Sequence, residues 1–115
     1  MRSGSLSSKS VRLGAGTVVF AGCVIQPDTV IGSHCIINTS ASVDHDCQLG
    51  DFVHVAPGAN LAGGVMLGPE VFLGIGVSVI PGVTIGEATI VGAGACVVGN
   101  LASQITAVGV PARKI

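Results

Sequence analysis

The chain has 115 residues, of which 49% are hydrophobic and 10% charged, with three Phe and no Trp or Tyr, so a single domain of this length needs a regular aliphatic core. Its formal net charge is −1, and all five cations lie in the terminal segments, so the body carries no basic stripe that would neutralise nucleic-acid phosphates. Every apolar run is interrupted well before the roughly 20 residues that a membrane span requires.

Residues 1–10 are rich in serine and lack the apolar segment of a secretory signal. We expect them to form a flexible lead-in, and we expect the protein to be cytoplasmic. The four cysteines, Cys23, Cys35, Cys47 and Cys96, show no CxxC pairing and no nearby histidine at zinc-finger spacing. They are interpreted as small buried thiols in a reducing compartment, and no metal is expected.

A period of six dominates the chain from residue 13 onward. Counting by six meets an aliphatic residue at fifteen consecutive positions: Leu13, Val19, Ile25, Ile31, Ile37, Val43, Leu49, Val55, Leu61, Leu67, Leu73, Val79, Ile85, Val91 and Val97. Neither an amphipathic helix nor one alternating strand produces this spacing. The residue four positions after each aliphatic is small or of modest size, so the two columns are predicted to share a narrow interior.

Glycine and proline recur at fixed offsets between these columns, which predicts a turn in every six-residue unit. A second repeat of eighteen indicates three units per coil, with aliphatic-Gly pairs starting at Leu13, Ile31, Leu49, Leu67 and Ile85. We therefore predict an all-β fold, a parallel β-helix of about five coils over residues 11–98. Ser103 stands where an aliphatic residue is due, so residues 99–115 are predicted to be a C-terminal loop and terminal segment.

The aliphatic-Gly-x4 pattern resembles that of the hexapeptide-repeat acyltransferases, whose parallel β-helix is left-handed. Within that family the chain is most similar to sialic acid O-acetyltransferases and nucleotide-amino-sugar N-acetyltransferases. The matching segments are Ile37-Asn38-Thr39, Val43-Asp44-His45-Asp46-Cys47, Leu49-Gly50-Asp51-Phe52-Val53-His54-Val55, Leu61-Ala62-Gly63-Gly64-Val65, Phe72-Leu73-Gly74-Ile75-Gly76 and Val108-Gly109-Val110-Pro111-Ala112. The family often has Asn where this chain has Gly64.

This resemblance implies an acetyl-CoA-dependent acetyltransferase that acts on an amino or hydroxyl group of a sugar or nucleotide sugar. It also implies a homotrimer whose active sites lie in clefts between neighbouring prisms. The most similar members commonly carry an N-terminal nucleotide-sugar-binding domain, and no such domain precedes residue 11 here. The chain is therefore expected to be a fragment, a minimal transferase or an inactive prism, and its acceptor stays open.

His45 is the expected general base, because a neutral imidazole suits proton removal near neutral pH. The resemblance assigns Asp46 to orient the ring, and Asp44 is the alternative partner. Gly63 follows His45 by eighteen residues and so is expected at the same corner one coil later. Its backbone N–H is the candidate donor to the thioester carbonyl as that group becomes an oxyanion.

The remaining candidates come from the resemblance by position. His54 is expected to line the cleft near the acetyl group, although a structural interface role fits equally well. Contacts with acetyl-CoA are expected from Ile75, Gly76, Gly92, Ala93 and Arg113, and Lys114 is a second cation near the nucleotide end. His34 has no acidic neighbour and is expected to be a surface corner residue.

Two other functions remain open at this point. The first is a zinc enzyme resembling the gamma-class carbonic anhydrases, in which His45 and His54 would meet across a subunit interface, although that family's ligand spacing is not matched. The second is a non-catalytic trimeric β-helix module.

Overall fold

The computed structural model describes residues 10–115 and, by backbone alone, the strand Leu6–Ser7. The flexible lead-in predicted for residues 1–10 therefore lies largely outside the described residues. Short strands and turns alternate along the whole described range, and they stack into three parallel sheets. Within that range no helix is long and apolar enough to cross a membrane.

From β1 to β16 each sheet takes every third strand of the chain, and β17 and β18 then extend sheet C. Sheet A contains β1 (Leu6–Ser7), β4 (Val24–Ile25), β7 (Ser42–Val43), β10 (Asn60–Leu61), β13 (Ser78–Val79) and β16 (Cys96–Val97). Sheet B contains β2 (Arg12–Leu13), β5 (Val30–Ile31), β8 (Gln48–Leu49), β11 (Met66–Leu67) and β14 (Thr84–Ile85). Sheet C contains β3 (Val18–Val19), β6 (Ile36–Ile37), β9 (His54–Val55), β12 (Phe72–Leu73), β15 (Ile90–Val91), β17 (Thr106–Val108) and β18 (Arg113–Lys114).

The predicted register of eighteen residues is the register of strand pairing. Leu61 lies opposite Val43 on one side and Val79 on the other, and both neighbours are eighteen residues away. Backbone hydrogen bonds run from one coil to the next, as between the N–H of Phe72 and the carbonyl of Thr89 at 3.0 Å. The prediction of a left-handed parallel β-helix of about five coils is confirmed.

The second residue of nearly every strand points inward, because the aliphatic column must leave water for the fold to be stable. From Val19 to Val97 all members of that column are buried. The second column, from Cys23 to Ala95, is buried as well. The molecule measures 37 × 21 × 20 Å, and the buried side chains inside this narrow prism are aliphatic or small.

Regular pairing continues beyond Val98, where the period of six predicted the β-helix to end. Leu101 forms a bridge with Ile85, and Ala107 pairs with Val91, each across sixteen residues instead of eighteen. The last coil is therefore two residues shorter than the others. This deletion moves Leu101 into the inward column and explains why Ser103 broke the pattern. The antiparallel strand β18 then closes sheet C.

Candidate active site

His45 lies at the corner where the chain passes from sheet A to sheet B, between β7 and β8. The neighbouring Asp46 has a φ of 60°, a left-handed conformation that aspartate tolerates better than most residues. A side-chain oxygen of Asp44 accepts a hydrogen bond from the backbone N–H of His45 at 2.7 Å. The two acids on either side of His45 thus shape the turn that presents its ring.

A buried threonine fixes this turn from inside the prism. The hydroxyl of Thr29, which has no exposed surface, donates to the carbonyl of Asp44 at 2.8 Å. The thiol of Cys47 donates in the same way to the carbonyl of Ala62 at 3.2 Å. These bonds satisfy backbone oxygens that would otherwise be unpaired in the interior, and they hold the corner in one conformation.

The imidazole of His45 is held by Asp46, with 2.9 Å between Nδ1 and Oδ2. An ionised carboxylate can only accept a hydrogen bond, so Nδ1 carries the proton of the neutral ring and Nε2 keeps its lone pair. The hydrogen bond to Asp46, and after it the negative charge of Asp44, raise the pKa of His45 above its ordinary value. Both side chains are more than half exposed, so the ring is open to ligands.

Gly63 occupies the same corner one coil later, as the repeat predicts. A Cβ built on Gly63 would lie 2.8 Å from Cε1 and 2.9 Å from Nε2 of His45, so the ring rests directly on the glycine backbone. Only a residue without a side chain permits this approach. The carbonyl of His45 in turn accepts a hydrogen bond from the N–H of Gly64 at 2.9 Å, which ties the two coils together.

The N–H of Gly63 donates no hydrogen bond to any described residue. At the equivalent position one coil earlier, the N–H of His45 is taken by the carboxylate of Asp44. Ala62 precedes Gly63 and has no side-chain acceptor to do the same. The corner therefore combines a proton acceptor, Nε2 of His45, with an available backbone donor beside it.

His54 stands apart from this corner. It lies on β9 in sheet C, the face opposite the edge where sheets A and B meet, between Ile36 and Phe72 in register. Its ring meets Phe72 edge-on, with 5.0 Å between the ring centroids. Its Nε2 atom is buried and has no hydrogen-bond partner among the described residues.

The predicted acetyl-CoA contacts also lie away from His45 within one chain. Ile75 and Gly76 form a corner between sheets C and A, and Gly92 and Ala93 form the same corner one coil later. The side chain of Ile75 is 62% exposed, and a Cβ on Gly76 would meet nothing within 4 Å. The structure thus brings these four together along one edge.

Gly92 and Arg113 lie toward the end of the prism that carries the last coil. A Cβ on Gly92 would lie 2.8 Å from Cγ1 of Val108, so this glycine is needed for packing against β17. Arg113 lies on β18 with its side chain exposed. The structure therefore places His45, Asp46 and Gly63 on one edge and Ile75 to Ala93 on another, while His54 and Arg113 lie in sheet C.

His34 is exposed at the corner between sheets B and C, in agreement with the predicted surface role. Its ring stacks on Phe52 with 5.2 Å between the centroids. The cysteines Cys23, Cys35 and Cys47 are free and fully buried, and burial raises the pKa of each thiol, so they stay protonated and unreactive. Cys96 is also free but only half-buried, so the prediction of buried thiols is wrong for this one of the four. No three His, Cys, Asp or Glu side chains within the described range are grouped so as to hold a metal ion.

Comparison with known proteins places this geometry in a family. The model of the family described as bacterial transferase hexapeptide (six repeats) matches residues 28–63, the segment that contains His45 and Gly63. A crystal structure of perosamine N-acetyltransferase from Caulobacter crescentus is 51% identical over the whole of this chain, with a TM-score of 0.99. The chain belongs to the hexapeptide-repeat acyltransferases.

Other members of the family have the same coil structure. The acetyltransferase domain of PglB from Neisseria gonorrhoeae is 38% identical over 98% of this chain, with a TM-score of 0.97. WeeI from Acinetobacter baumannii is 28% identical over 98% of this chain, with a TM-score of 0.93. This chain spans 55%, 55% and 56% of the lengths of these three proteins, in the order given. A search of the curated proteins found no match.

Sequence reasoning left two features of the corner unassigned. Thr29 follows Ile25 by four residues, so the spacing assigned it only to the inward column of small side chains, whereas its hydroxyl anchors the turn that carries His45. Sequence reasoning also left Asp44 and Asp46 as competing partners for the ring. In the structure Asp46 accepts the hydrogen bond of the ring, and Asp44 accepts one from the backbone N–H of His45. A polar residue in an otherwise apolar inward column is the signal that would have identified Thr29.

Proposed function

We propose that this chain transfers an acetyl group from acetyl-CoA to an amino group of a nucleotide-linked sugar, with His45 as the general base. The observation that carries the proposal is the hydrogen bond of 2.9 Å between Nδ1 of His45 and Asp46, which leaves Nε2 as an exposed proton acceptor against Gly63. A sugar hydroxyl is the alternative acceptor, since the same base would remove its proton.

In the proposed reaction the neutral acceptor nitrogen attacks the thioester carbonyl while Nε2 of His45 takes its proton. Asp46 stabilises the imidazolium that forms. The carbonyl oxygen becomes an oxyanion and accepts a hydrogen bond from the N–H of Gly63. The intermediate then collapses, the carbon–sulfur bond breaks, and the departing thiolate of coenzyme A receives the proton from His45.

The relatives support this choice of substrates. The perosamine N-acetyltransferase was crystallised with CoA and GDP-perosamine, as a mutant with one histidine replaced by asparagine. The acetyltransferase domain of PglB was crystallised with acetyl coenzyme A. For this chain we propose acetyl-CoA as the donor and a small nucleotide amino sugar of the GDP-perosamine type as the acceptor.

We further propose a homotrimer in which the two edges of neighbouring copies form one site. Along sheet C, the exposed side chains Ile36 and Ile90 and the half-buried Phe72 give an apolar face that suits such packing. A neighbour would bring its Ile75–Ala93 edge to the corner of His45. We also propose a cytoplasmic location, which the four free cysteines support.

Release of free thiol from acetyl-CoA in the presence of GDP-perosamine tests the activity. We expect acceptor-dependent release by the wild-type chain and a loss of about 10²- to 10⁴-fold in His45→Ala, the usual contribution of a general base. We also expect acetyl-CoA to raise the melting temperature, because a ligand that binds only the folded state stabilises it. The absence of both thiol release and a thermal shift would favour the non-catalytic module instead.

A further inference from the structure

A small polar pocket opens on sheet A beside the catalytic corner. Its volume is about 140 Å³, and its lining consists of Val24, Gln26, Ser42, Val43, Asp44 and Leu61. Pockets for whole drug-sized ligands begin at about 300 Å³, so this one has room for a single part of a ligand, such as one sugar ring. Asp44, the alternative partner of the His45 ring, is the one candidate named from the sequence that lines it.

The polar groups of the pocket are arranged to bind hydroxyl and amino substituents. The hydroxyl of Ser42 donates to Oδ1 of Asn60 at 2.6 Å, and the amide of Asn60 is itself held by the carbonyl of Gly58 at 3.1 Å. Ser42 is thereby fixed with its oxygen lone pairs available to a ligand. The side-chain amide of Gln26 is exposed and makes no hydrogen bond to a described residue, so it offers both a donor and an acceptor.

Asp44 connects the pocket with the base. One of its carboxylate oxygens accepts the backbone N–H of His45 at 2.7 Å, while the same side chain forms part of the pocket lining. A sugar ring seated against Val24, with polar contacts to Gln26 and Ser42, would therefore lie beside Asp44, the residue that precedes His45. Sugar rings combine an apolar face with polar edges, and this lining offers groups for both.

We infer that this pocket is the subsite for the sugar ring of the acceptor and that Gln26 and Ser42 determine which sugar is acetylated. The inference rests on the proposed function, because it assigns a position to the acceptor of that reaction. Under this inference the sugar acceptor and acetyl-CoA contact different residues. Changes in the pocket act on the acceptor, and acetyl-CoA binding depends on other residues.

The test uses Gln26→Ala and Ser42→Ala, with Ser78→Ala as the matched control. Ser78 occupies the same outward column of sheet A two coils after Ser42, and it lies outside the pocket. Steady-state kinetics with acetyl-CoA and GDP-perosamine gives KM for each substrate, and calorimetry gives Kd for GDP-perosamine. The melting temperature of each variant shows whether it is folded.

We expect KM and Kd for GDP-perosamine to rise about tenfold in Gln26→Ala and Ser42→Ala, as for one lost hydrogen bond each. KM for acetyl-CoA should stay unchanged, and Ser78→Ala should match the wild type. Unchanged acceptor constants in folded variants, or an equal effect of Ser78→Ala, would overturn the subsite. The absence of GDP-perosamine binding by the wild type would also refute the assignment of the subsite. Binding that weakens only in the two pocket variants, without any thiol release, would keep the subsite and reject the proposed function.

Discussion

Replacing Gly63 with alanine tests whether the contact between this glycine and His45 sets the catalytic geometry. The new Cβ would stand 2.8 Å from Cε1 and 2.9 Å from Nε2 of the ring. Carbon atoms prefer a separation of about 3.5 to 4.0 Å, so the imidazole would have to retreat by about 1 Å. A misplacement of this size is enough to lower kcat by about 10²-fold.

Stability should hardly change in Gly63→Ala, which separates a catalytic effect from unfolding. The φ of Gly63 lies outside the left-handed region, so alanine fits the backbone there. The side chain of His45 is 61% exposed and has solvent to move into. We expect the free energy of unfolding to stay within about 1 kcal/mol of the wild-type value.

The assay follows thiol release from acetyl-CoA with GDP-perosamine, together with thermal unfolding of each variant. Gly99→Ala is the control, because Gly99 also stands two residues after a strand of sheet A and a Cβ there would meet nothing within 4 Å. We expect the control to keep the wild-type kcat. Full activity in Gly63→Ala, or a loss of activity that tracks a lower melting temperature, would refute the reasoning.

Two further predictions concern the pH profile and the core. In the wild type, kcat/KM should rise with pH as His45 loses its proton. The midpoint of this rise should lie above the ordinary pKa of histidine, because the hydrogen bond to Asp46 raises the pKa of His45. Asp46→Asn should move that midpoint to lower pH and lower the plateau, and an unmoved midpoint would contradict the assigned hydrogen bond. Leu73→Ala should cost about 2 to 5 kcal/mol in chemical denaturation, because this fully buried side chain would leave a cavity. Val110→Ala, at a site 75% exposed, should cost far less.

The inner architecture was predictable because one physical demand repeats along the chain. Each six-residue unit buries one aliphatic and one smaller side chain, and stacked coils place equivalent residues in register. This regularity located Gly63 on the coil after His45 from spacing alone. It failed beyond Val97, because a coil shortened by two residues keeps its pairing in space while losing its period in sequence.

The site was less predictable than the fold, since side-chain partners depend on directions that spacing leaves open. The segment Asp44–Asp46 offered two carboxylates for one ring, and only the left-handed backbone of Asp46 brings its carboxylate to Nδ1. The pocket of Gln26 and Ser42 escaped notice because it is formed by outward side chains on neighbouring coils, which the inward pattern ignores.

The sequence by itself determined the coiled β architecture, its register and the pairing of His45 with Gly63 on one corner, because burial every six residues permits few other folds. Only the tertiary structure decided the short last coil, the separate tasks of Asp44 and Asp46, and the division of the candidate residues between two edges. Those features depend on where side chains point and on how far apart the corners of one prism stand. A linear pattern of residues carries neither quantity.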